Sequence, residues 1–221
     1  MQSGKREVII PVQEGIALEG HLEIPPSAVG VVLFAHGSGS GRFSPRNNYV
    51  AEVLQEAGIA TLLFDLLTRE EDQVYQTRFD IGLLTERLEA ATVWLQQQTE
   101  FASLPLGYFG ASTGAAAALR AAAHQGANIA AVVSRGGRPD LAGATALAQV
   151  VSPTLLLVGE LDTEVIRLNH EAQAHMHCPT SLVIVPGATH LFEEPGTLTE
   201  VANQAAQWLR THLSPHGTPA S

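Results

Sequence analysis

The chain has few positive charges and almost no cysteine. Among its 221 residues, 12 are Lys or Arg and 22 are Asp or Glu, which gives a formal net charge of −10. A protein that binds nucleic acid needs basic side chains to neutralise phosphates, so we expect no nucleic-acid partner. The single cysteine, Cys178, excludes an internal disulfide, and the fold therefore does not depend on an oxidising compartment.

Long apolar runs are missing as well. Residues 1–6 are short and charged, and no apolar signal-peptide core follows them. No apolar run approaches the roughly 18 residues that a membrane-spanning helix needs. We therefore expect no membrane partner and a cytoplasmic location.

What the chain does contain is enough apolar material for one sizeable core. Hydrophobic residues make up 45% of the sequence and charged residues 15%, a balance typical of a globular protein. No linker, internal repeat or low-complexity segment interrupts it. We expect one domain over residues 1–213, followed by a flexible Pro/Gly/Ser tail over residues 214–221.

Short β-type runs alternate with stretches of helical periodicity along most of the sequence. The predicted strands are 8–12, 16–24, 30–35, 59–64, 106–109, 129–134, 154–158 and 181–185. The predicted helices are 45–57, 79–98, 115–124, 141–149, 164–177 and 198–212. The first two strands are joined by a turn at Glu14-Gly15, and the polar segment 68–75 is expected to be a loop.

This alternation predicts an α/β fold with a mostly parallel central sheet of about eight strands and helices on both faces. The first two strands are expected to form an antiparallel edge. Residues 135–152 are too few for a large cap domain, so we expect an open site. In such sheets the active site forms at the carboxyl ends of the strands.

A G-x-S-x-G sequence, Gly110–Gly114, follows the strand at residues 106–109. The preceding strand and the alanine-rich helix after it favour a strained turn that exposes the Ser112 hydroxyl, with glycines where larger side chains would collide. Ser112 is therefore the candidate nucleophile. The structural alternative is a glycine-rich turn in which Ser112 only caps the helix.

A serine hydroxyl needs a base to take its proton. His190 is the candidate, because it follows the last predicted strand in the segment 185–192, where a side chain can reach a neighbouring strand end. His36 also lies at a strand end, but its place in a glycine-rich loop suggests a structural role. The other histidines lie in an edge strand, on helices or near the C-terminus: His21, His124, His170, His175, His177, His212 and His216.

The base in turn needs an acid that orients it. Asp162 lies just beyond the strand at residues 154–158 and is the candidate. Glu160 and Glu164 are close competitors. Glu164 could instead start the next helix, and Asp162 could cap it.

The negative charge that develops on a substrate oxygen needs N–H donors. The backbone N–H of Thr113, directly after the nucleophile, is one candidate, and the N–H of Ser38 in the glycine-rich loop 36–41 is the other. The alternative is that the glycines of this loop only make a flexible connection.

In these motifs the chain resembles the α/β-hydrolases, and within them the small dienelactone-hydrolase-like group. His36-Gly37, Gly110–Gly114, residues 159–162 and residues 187–190 stand in the family's order. The resemblance spans about residues 8–212 and implies the fold and a Ser112–His190–Asp162 triad. Dienelactone hydrolases are known for a cysteine nucleophile, so Ser112 departs from them. The segment 65–68 also lacks the glycine-rich pattern common there.

The resemblance implies a serine esterase that cleaves small or short-chain carboxylic esters through an acyl-enzyme, with no cofactor and no metal. Two alternatives stay open: a non-catalytic relative that binds a ligand or partner in the same cleft, and an acyltransferase that uses the same triad. The sequence leaves the natural substrate and the oligomeric state undetermined.

Two further groups of residues have less specific patterns. The first, His170, His175, His177 and Cys178, lacks the ligand spacing of a zinc site. The second consists of arginines at predicted strand ends and loops that could contact an acidic substrate or simply be solvated: Arg42, Arg46, Arg78, Arg135 and Arg138.

Overall fold

A computed structural model describes residues 3–13 and 15–213. Eight strands form one sheet in the order β1-β2-β4-β3-β5-β6-β7-β8. The strands are β1 (Gly4–Gln13), β2 (Ile16–Ile24), β3 (Val31–Ala35), β4 (Ala60–Phe64), β5 (Leu106–Ala111), β6 (Ile129–Arg135), β7 (Thr154–Gly159) and β8 (Thr180–Val185).

Within the described residues, seven α-helices accompany the strands. They are α1 (Pro45–Glu56), α2 (Arg69–Gln73), α3 (Ile81–Gln96), α4 (Thr113–Gln125), α5 (Ala144–Gln149), α6 (Thr163–Gln173) and α7 (Thr197–Leu213). Short 3₁₀ turns occupy Tyr75–Phe79, Gly126–Asn128 and Pro139–Ala142.

The sheet is mostly parallel, with an antiparallel edge. β1 pairs antiparallel with β2, β2 pairs antiparallel with β4, and the remaining neighbours are parallel. The predicted fold class is confirmed. β1 extends beyond the predicted 8–12, because its exposed polar residues pair with β2 from Gly4↔Ile24 onward without any apolar pattern to reveal them. Glu14 of the predicted turn and the predicted tail at 214–221 lie outside the described residues.

Helices cover both faces of the sheet, as expected. Because successive side chains of a strand point to opposite faces, the buried residues of β3 divide between two cores. Leu33 packs with residues of α3, α4, α5 and α6, and Phe34 packs with residues of α1 and α7. The central strands β3, β4, β5 and β7 are buried along their whole length, as parallel strands covered on both sides should be.

The segment predicted as a loop at 68–75 is partly helical, which corrects that expectation. α2 begins after Thr68, whose hydroxyl accepts the Glu71 N–H while the Glu71 carboxylate accepts the Thr68 N–H. This reciprocal pair is a capping box, and the acidic residues of the first turn suit the positive end of the helix. A run of charged residues is compatible with a loop, but here it marks the start of a helix, where acidic side chains are favoured.

The end of α6 and the segment between β6 and β7 both affect the surroundings of the site. α6 ends at Gln173, four residues before the predicted His177. Between β6 and β7 the chain forms only a 3₁₀ turn and the six-residue α5, so no large cap is inserted there. Within the described ranges, no helix has both the length and the apolar character that crossing a membrane would require.

Candidate active site

Ser112 stands on a strained turn between β5 and α4. Its backbone has φ 51° and ψ −121°, and positive φ is uncommon for residues other than glycine. A Cβ on Gly114 would lie 2.1 Å from the Ala35 carbonyl oxygen, and one on Gly110 would lie 2.4 Å from the Cα of Ala115. Only glycine at both positions lets the turn pack this closely against β3 and its own helix.

Backbone hydrogen bonds hold Ser112 in this conformation. Its N–H donates to the Arg135 carbonyl at 3.2 Å, and its own carbonyl accepts the N–H groups of Ala115 and Arg138, each at 3.1 Å. Ser112 occupies the N-cap position of α4, yet its side chain makes no capping hydrogen bond. The structural alternative, that Ser112 serves as a helix cap, is therefore wrong.

His190 and Asp162 are joined by a short hydrogen bond. His190 Nδ1 lies 2.6 Å from Asp162 Oδ2, and the side chains are 39% and 16% exposed. An ionised carboxylate can only accept, so Nδ1 carries the hydrogen and Nε2 presents its lone pair when the ring is neutral. Asp162 occupies the N-cap position of α6 without a side-chain capping bond, so its carboxylate serves His190 and not the helix.

The competing acids have other partners. Glu160 Oε2 accepts the backbone N–H of Gly187 at 2.8 Å, which secures the turn after β8. Glu164 pairs with Arg167 on the exposed face of α6, and this pairing lowers the pKa of Glu164. Neither carboxylate contacts an imidazole, so the structure singles out Asp162 as the acid beside His190.

His190 packs against the residue that follows β6, the strand whose last residue anchors the Ser112 backbone. Arg135 accepts the Ser112 N–H, and the next residue, Gly136, packs under the histidine loop. A Cβ on Gly136 would lie 3.1 Å from the His190 carbonyl oxygen and 3.6 Å from His190 Cε1. The imidazole therefore lies one residue away from the backbone group that anchors Ser112.

The two residues with candidate oxyanion donors, Ser38 and Thr113, are joined by a hydrogen bond that the sequence did not reveal. The Ser38 N–H donates to the Thr113 hydroxyl oxygen at 3.1 Å. Gly37 packs against the nucleophile, since a Cβ there would lie 3.1 Å from the Ser112 Cβ. The Thr113 N–H belongs to the first turn of α4 and has no acceptor within the helix. The Ser38 N–H is thus held on the Thr113 side chain, and the Thr113 N–H directly follows Ser112 in the chain.

His36 braces the loop that carries Ser38, in agreement with the structural role expected for it. The imidazole is buried, with Nδ1 at 2.9 Å from the Gly37 carbonyl and Nε2 accepting the Leu66 N–H at 2.9 Å. Because Nε2 accepts, the hydrogen sits on Nδ1 and the ring is neutral. Burial is the main cause that lowers the pKa of His36, which keeps it neutral at physiological pH.

A shallow depression adjoins this loop. It has a volume of about 150 Å³ and shares Asp65, Leu67, Thr68 and Arg69 with a larger depression of about 500 Å³ that extends to the β1–β2 hairpin. His36 and Ser40 line the smaller one. Neither lining includes Ser112 or His190, so neither depression opens directly onto the candidate nucleophile.

Most of the arginines in question have carboxylate partners. The Arg42 guanidinium contacts Asp65 and Glu19, a network that ties the loop after β3 to the end of β4 and that sequence reasoning missed. The others pair locally, Arg78 with Asp72 and Arg138 with Asp140, while Arg46 reaches Glu193 at 3.3 Å. Arg135 is buried and has neither a hydrogen bond nor an ion pair from its side chain within residues 3–13 and 15–213.

In the part of the chain that the structure describes, no group of three or more His, Cys, Asp or Glu side chains is arranged to hold a metal ion. Cys178 Sγ instead lies 3.9 Å from the Thr154 hydroxyl and 3.7 Å from that of Thr180. The residues 170–178 therefore form no cluster.

Comparison with known proteins supplies the context for this geometry. A family model described as an alpha/beta hydrolase domain matches residues 28–212. The crystal structure of a dienelactone hydrolase from Anabaena variabilis is 53% identical, covers 96% of this chain and 100% of its own, and superposes with a TM-score of 0.92. Est1E from Butyrivibrio proteoclasticus is 17% identical, covers 93% of this chain and 98% of its own, and has a TM-score of 0.79, which is a likeness of fold alone.

Curated relatives are longer. A protein of Mycobacterium tuberculosis named as a phosphoribosyl transferase is 59% identical over 198 residues. The match takes in 90% of this chain and 44% of that protein. This chain therefore spans less than half the length of the curated relatives that it matches.

Proposed function

This chain belongs to the alpha/beta-hydrolase family, and from that premise we propose that it is a serine esterase that cleaves small or short-chain carboxylic esters. Ser112 is the nucleophile, His190 the general base and Asp162 the acid that orients it. The observation that carries the proposal is the 2.6 Å pair of His190 and Asp162 beside a serine held at φ 51°. A serine that merely turned the chain would need neither partner.

The first half of the reaction forms the acyl-enzyme. Ser112 Oγ attacks the ester carbonyl carbon while His190 Nε2 takes the hydroxyl proton, and the carbonyl oxygen becomes an oxyanion. The N–H groups of Thr113 and Ser38 stabilise that oxyanion once Ser38 exchanges the Thr113 hydroxyl for it. Collapse breaks the bond to the leaving alkoxide, which takes the proton from His190 and departs as the alcohol.

The second half restores the enzyme. Water gives a proton to His190 and attacks the acyl carbon, and the second tetrahedral intermediate expels Ser112 Oγ, which recovers its proton from His190. The products are a carboxylic acid and the original serine. Each oxyanion donor is worth about 3 kcal/mol of barrier lowering in comparable sites, so the placement of Ser38 and Thr113 has large consequences for rate.

The site at the carboxyl ends of the strands is open, which favours small substrates. No large cap stands between β6 and β7, and exposed apolar side chains line the loops on the same side of the sheet as Ser112. These side chains suit the apolar parts of an ester rather than a charged polymer. They are Phe43, Tyr75, Phe79, Leu161 and Leu191.

Acyl transfer and phosphoribosyl transfer are two other activities to compare with ester hydrolysis. An acyltransferase would use the same acyl-enzyme and replace water by another acceptor. The phosphoribosyl transferase name belongs to proteins of which the matched region makes up 44%. The Ser112–His190–Asp162 arrangement is suited to acyl transfer, so ester hydrolysis is the better proposal for this chain.

The test is covalent labelling of the whole chain with a fluorophosphonate probe, followed by peptide mapping. We expect modification at Ser112 that disappears in Ser112→Ala and persists in Ser103→Ala, an exposed serine before β5. A panel of aryl esters from acetate to octanoate then measures acyl-length preference, and product analysis with added alcohols separates hydrolysis from transfer. A folded protein that resists the probe and turns over no ester overturns the proposal and favours a binding role.

A further inference from the structure

Arg135 is a buried cation without a counter-ion. It is the last residue of β6 and is 8% exposed. Its Nη1 is buried and has no hydrogen-bond partner, and no side-chain bond to it occurs within the described residues. Buried charges are normally paired, because an unpaired one loses its hydration without compensation. The unpaired Nη1 can therefore donate to a ligand.

The side chain lies next to the candidate active site. Val133, two residues earlier on the same face of β6, packs with Phe192 in the core shared by α1 and α7, so Arg135 projects to that face as well. Its backbone carbonyl accepts the Ser112 N–H at 3.2 Å. Its neighbour Gly136 lies against His190.

A second arginine comes from α1, which packs on the same face of the sheet. Its partner Glu193 follows Phe192, whose ring lies 3.4 Å from where a Cβ on Gly136 would stand. Arg46, in the first turn of α1, also has a buried Nε without a partner. Burial lowers the pKa of Arg135 to about 10, and the positive charge of Arg46 acts in the same direction. Arg135 keeps its charge at neutral pH, and the positive charges of the two side chains repel each other. The carboxylate that Arg46 contacts, Glu193, lies 3.3 Å away, and its side chain is 65% exposed.

We propose that Arg135 and Arg46 bind a phosphate dianion beside the candidate active site. Two guanidinium groups match a dianion in charge, and their planar forks suit the tetrahedral oxygens of phosphate. The ligand would provide hydrogen-bond acceptors for Nη1 of Arg135 and Nε of Arg46. It would also neutralise the repulsion between the two cations. Phosphate can displace Glu193 from Arg46, because exposed ion pairs contribute little to stability.

The phosphate has two possible sources, a group on the ester substrate or free inorganic phosphate. Binding of free phosphate stands independently of ester hydrolysis, whereas a phosphate on the substrate rests on the proposed function. The two sources share the same contacts and differ in what added phosphate does to turnover.

The first experiment measures thermal unfolding in inorganic phosphate and in sodium chloride of equal ionic strength. At a hundredfold excess over Kd, phosphate should raise the Tm by about 5 °C. Arg135→Met and Arg46→Gln should each lose most of this shift. Arg138→Gln should keep it, because Arg138 ends the same loop but already pairs with Asp140 at 2.8 Å.

Three results overturn the proposal: no phosphate-specific shift in the unmodified chain, an equal shift in chloride or acetate, or an undiminished shift in Arg46→Gln. Arg46 is a half-buried helix residue, so this variant keeps the test valid if Arg135→Met fails to fold. Isothermal titration with phosphate provides the same comparison at constant temperature.

The second experiment compares two aryl esters that differ only in a phosphate on the acyl group. If the substrate carries the phosphate, kcat/KM should be at least tenfold higher for the phosphorylated ester, and added phosphate should inhibit its turnover competitively. If free phosphate is the ligand, both esters should respond alike to added phosphate. A chain that shows the Tm shift but neither ester turnover nor fluorophosphonate labelling would retain the phosphate site and lose the proposed esterase function.

Discussion

Ser38 donates its backbone N–H to the hydroxyl oxygen of Thr113 at 3.1 Å, which links the loop after β3 directly to the first residue of α4. Thr113 follows Ser112, so the same residue offers one candidate oxyanion donor from its backbone and holds the other with its side chain. In the proposed reaction this hydroxyl would hold the place of the substrate oxygen, and in the free protein it gives the half-buried Ser38 N–H an acceptor.

Replacing Thr113 with valine should therefore affect stability more than rate. The variant keeps both backbone donors and the side-chain shape but removes the acceptor of the Ser38 N–H, and a neutral hydrogen bond of this kind contributes about 1 kcal/mol. Because Ser38 has already left the Thr113 hydroxyl when it stabilises the oxyanion, we expect the free energy of unfolding to fall by about that amount, while kcat/KM for a short-chain ester changes by no more than about fivefold. Urea denaturation and steady-state turnover measure the two quantities. Thr113→Ser, which keeps the hydroxyl, is the matched control. A loss of hundredfold with the fold intact would instead mean that the hydroxyl takes part in the reaction.

Removing the charge of Asp162 should have a far larger effect. In Asp162→Asn the His190 ring loses the acceptor that fixes its tautomer and stabilises its charged form, and kcat should fall by about 10³- to 10⁴-fold. Glu160→Gln is the control, because its amide oxygen can still accept the Gly187 N–H. Stopped-flow measurement of the turnover of an activated ester gives kcat for both variants. Equal losses in the two variants would show that the whole turn, and not the Asp162 carboxylate, matters.

Much of this arrangement was predictable because it depends on local sequence. A serine between two glycines after a strand, a histidine after the last strand and an aspartate after the strand before it each lie where parallel strands end. The structure brings Asp162 and His190 to hydrogen-bonding distance. Whether Ser112, His190 and Asp162 act as a triad stays a prediction until the labelling experiment.

The rest depended on contacts between segments distant in the chain. The bond from Ser38 to Thr113 joins residues 75 positions apart, and no periodicity encodes it. The isolation of Arg135 could not be predicted either, since an arginine at a strand end is usually solvated. Only the packed structure shows that its side chain is buried without a partner among residues 3–13 and 15–213. α2 was missed for a different reason: Thr68 and Glu71 form a capping box inside an acidic run that was interpreted as loop.

His36 should make stability depend on pH in the mildly acidic range. Burial lowers its pKa in the folded state, so below about pH 6.5 the unfolded chain binds a proton that the folded chain does not. The free energy of unfolding should therefore fall as pH decreases from about 6.5 towards the folded pKa, by up to about 1.4 kcal/mol per pH unit for this group. Urea denaturation at a series of pH values measures the slope.

The variant that isolates this effect is His36→Gln, which cannot titrate. It should be less stable at pH 8, because the bridge between Gly37 and Leu66 is disturbed, but its stability should decrease less steeply below pH 6.5. Burial also lowers the pKa of His212, which is less enclosed, so His212→Gln should reduce the slope by a smaller amount. An identical slope in His36→Gln and the unmodified chain would exclude His36 as its source.

The close packing under Ser112 leads to the last prediction, which concerns Gly114. An added Cβ would lie 2.1 Å from the Ala35 carbonyl oxygen and 2.5 Å from that of His36. Both are backbone atoms of β3 and its loop, so the clash cannot be relieved by rotating a side chain, and Gly114→Ala should destabilise the fold by about 3 kcal/mol or more. The control is Gly82→Ala in the first turn of α3, where the nearest atom to the new Cβ is the Asp80 carboxylate at 3.1 Å. Since alanine favours helix over glycine by about 1 kcal/mol, that variant should be neutral or slightly stabilised. Urea denaturation of both variants measures the difference, and equal stability of the two would mean that β3 can move away from α4 and that the turn holding Ser112 is less constrained than its geometry implies.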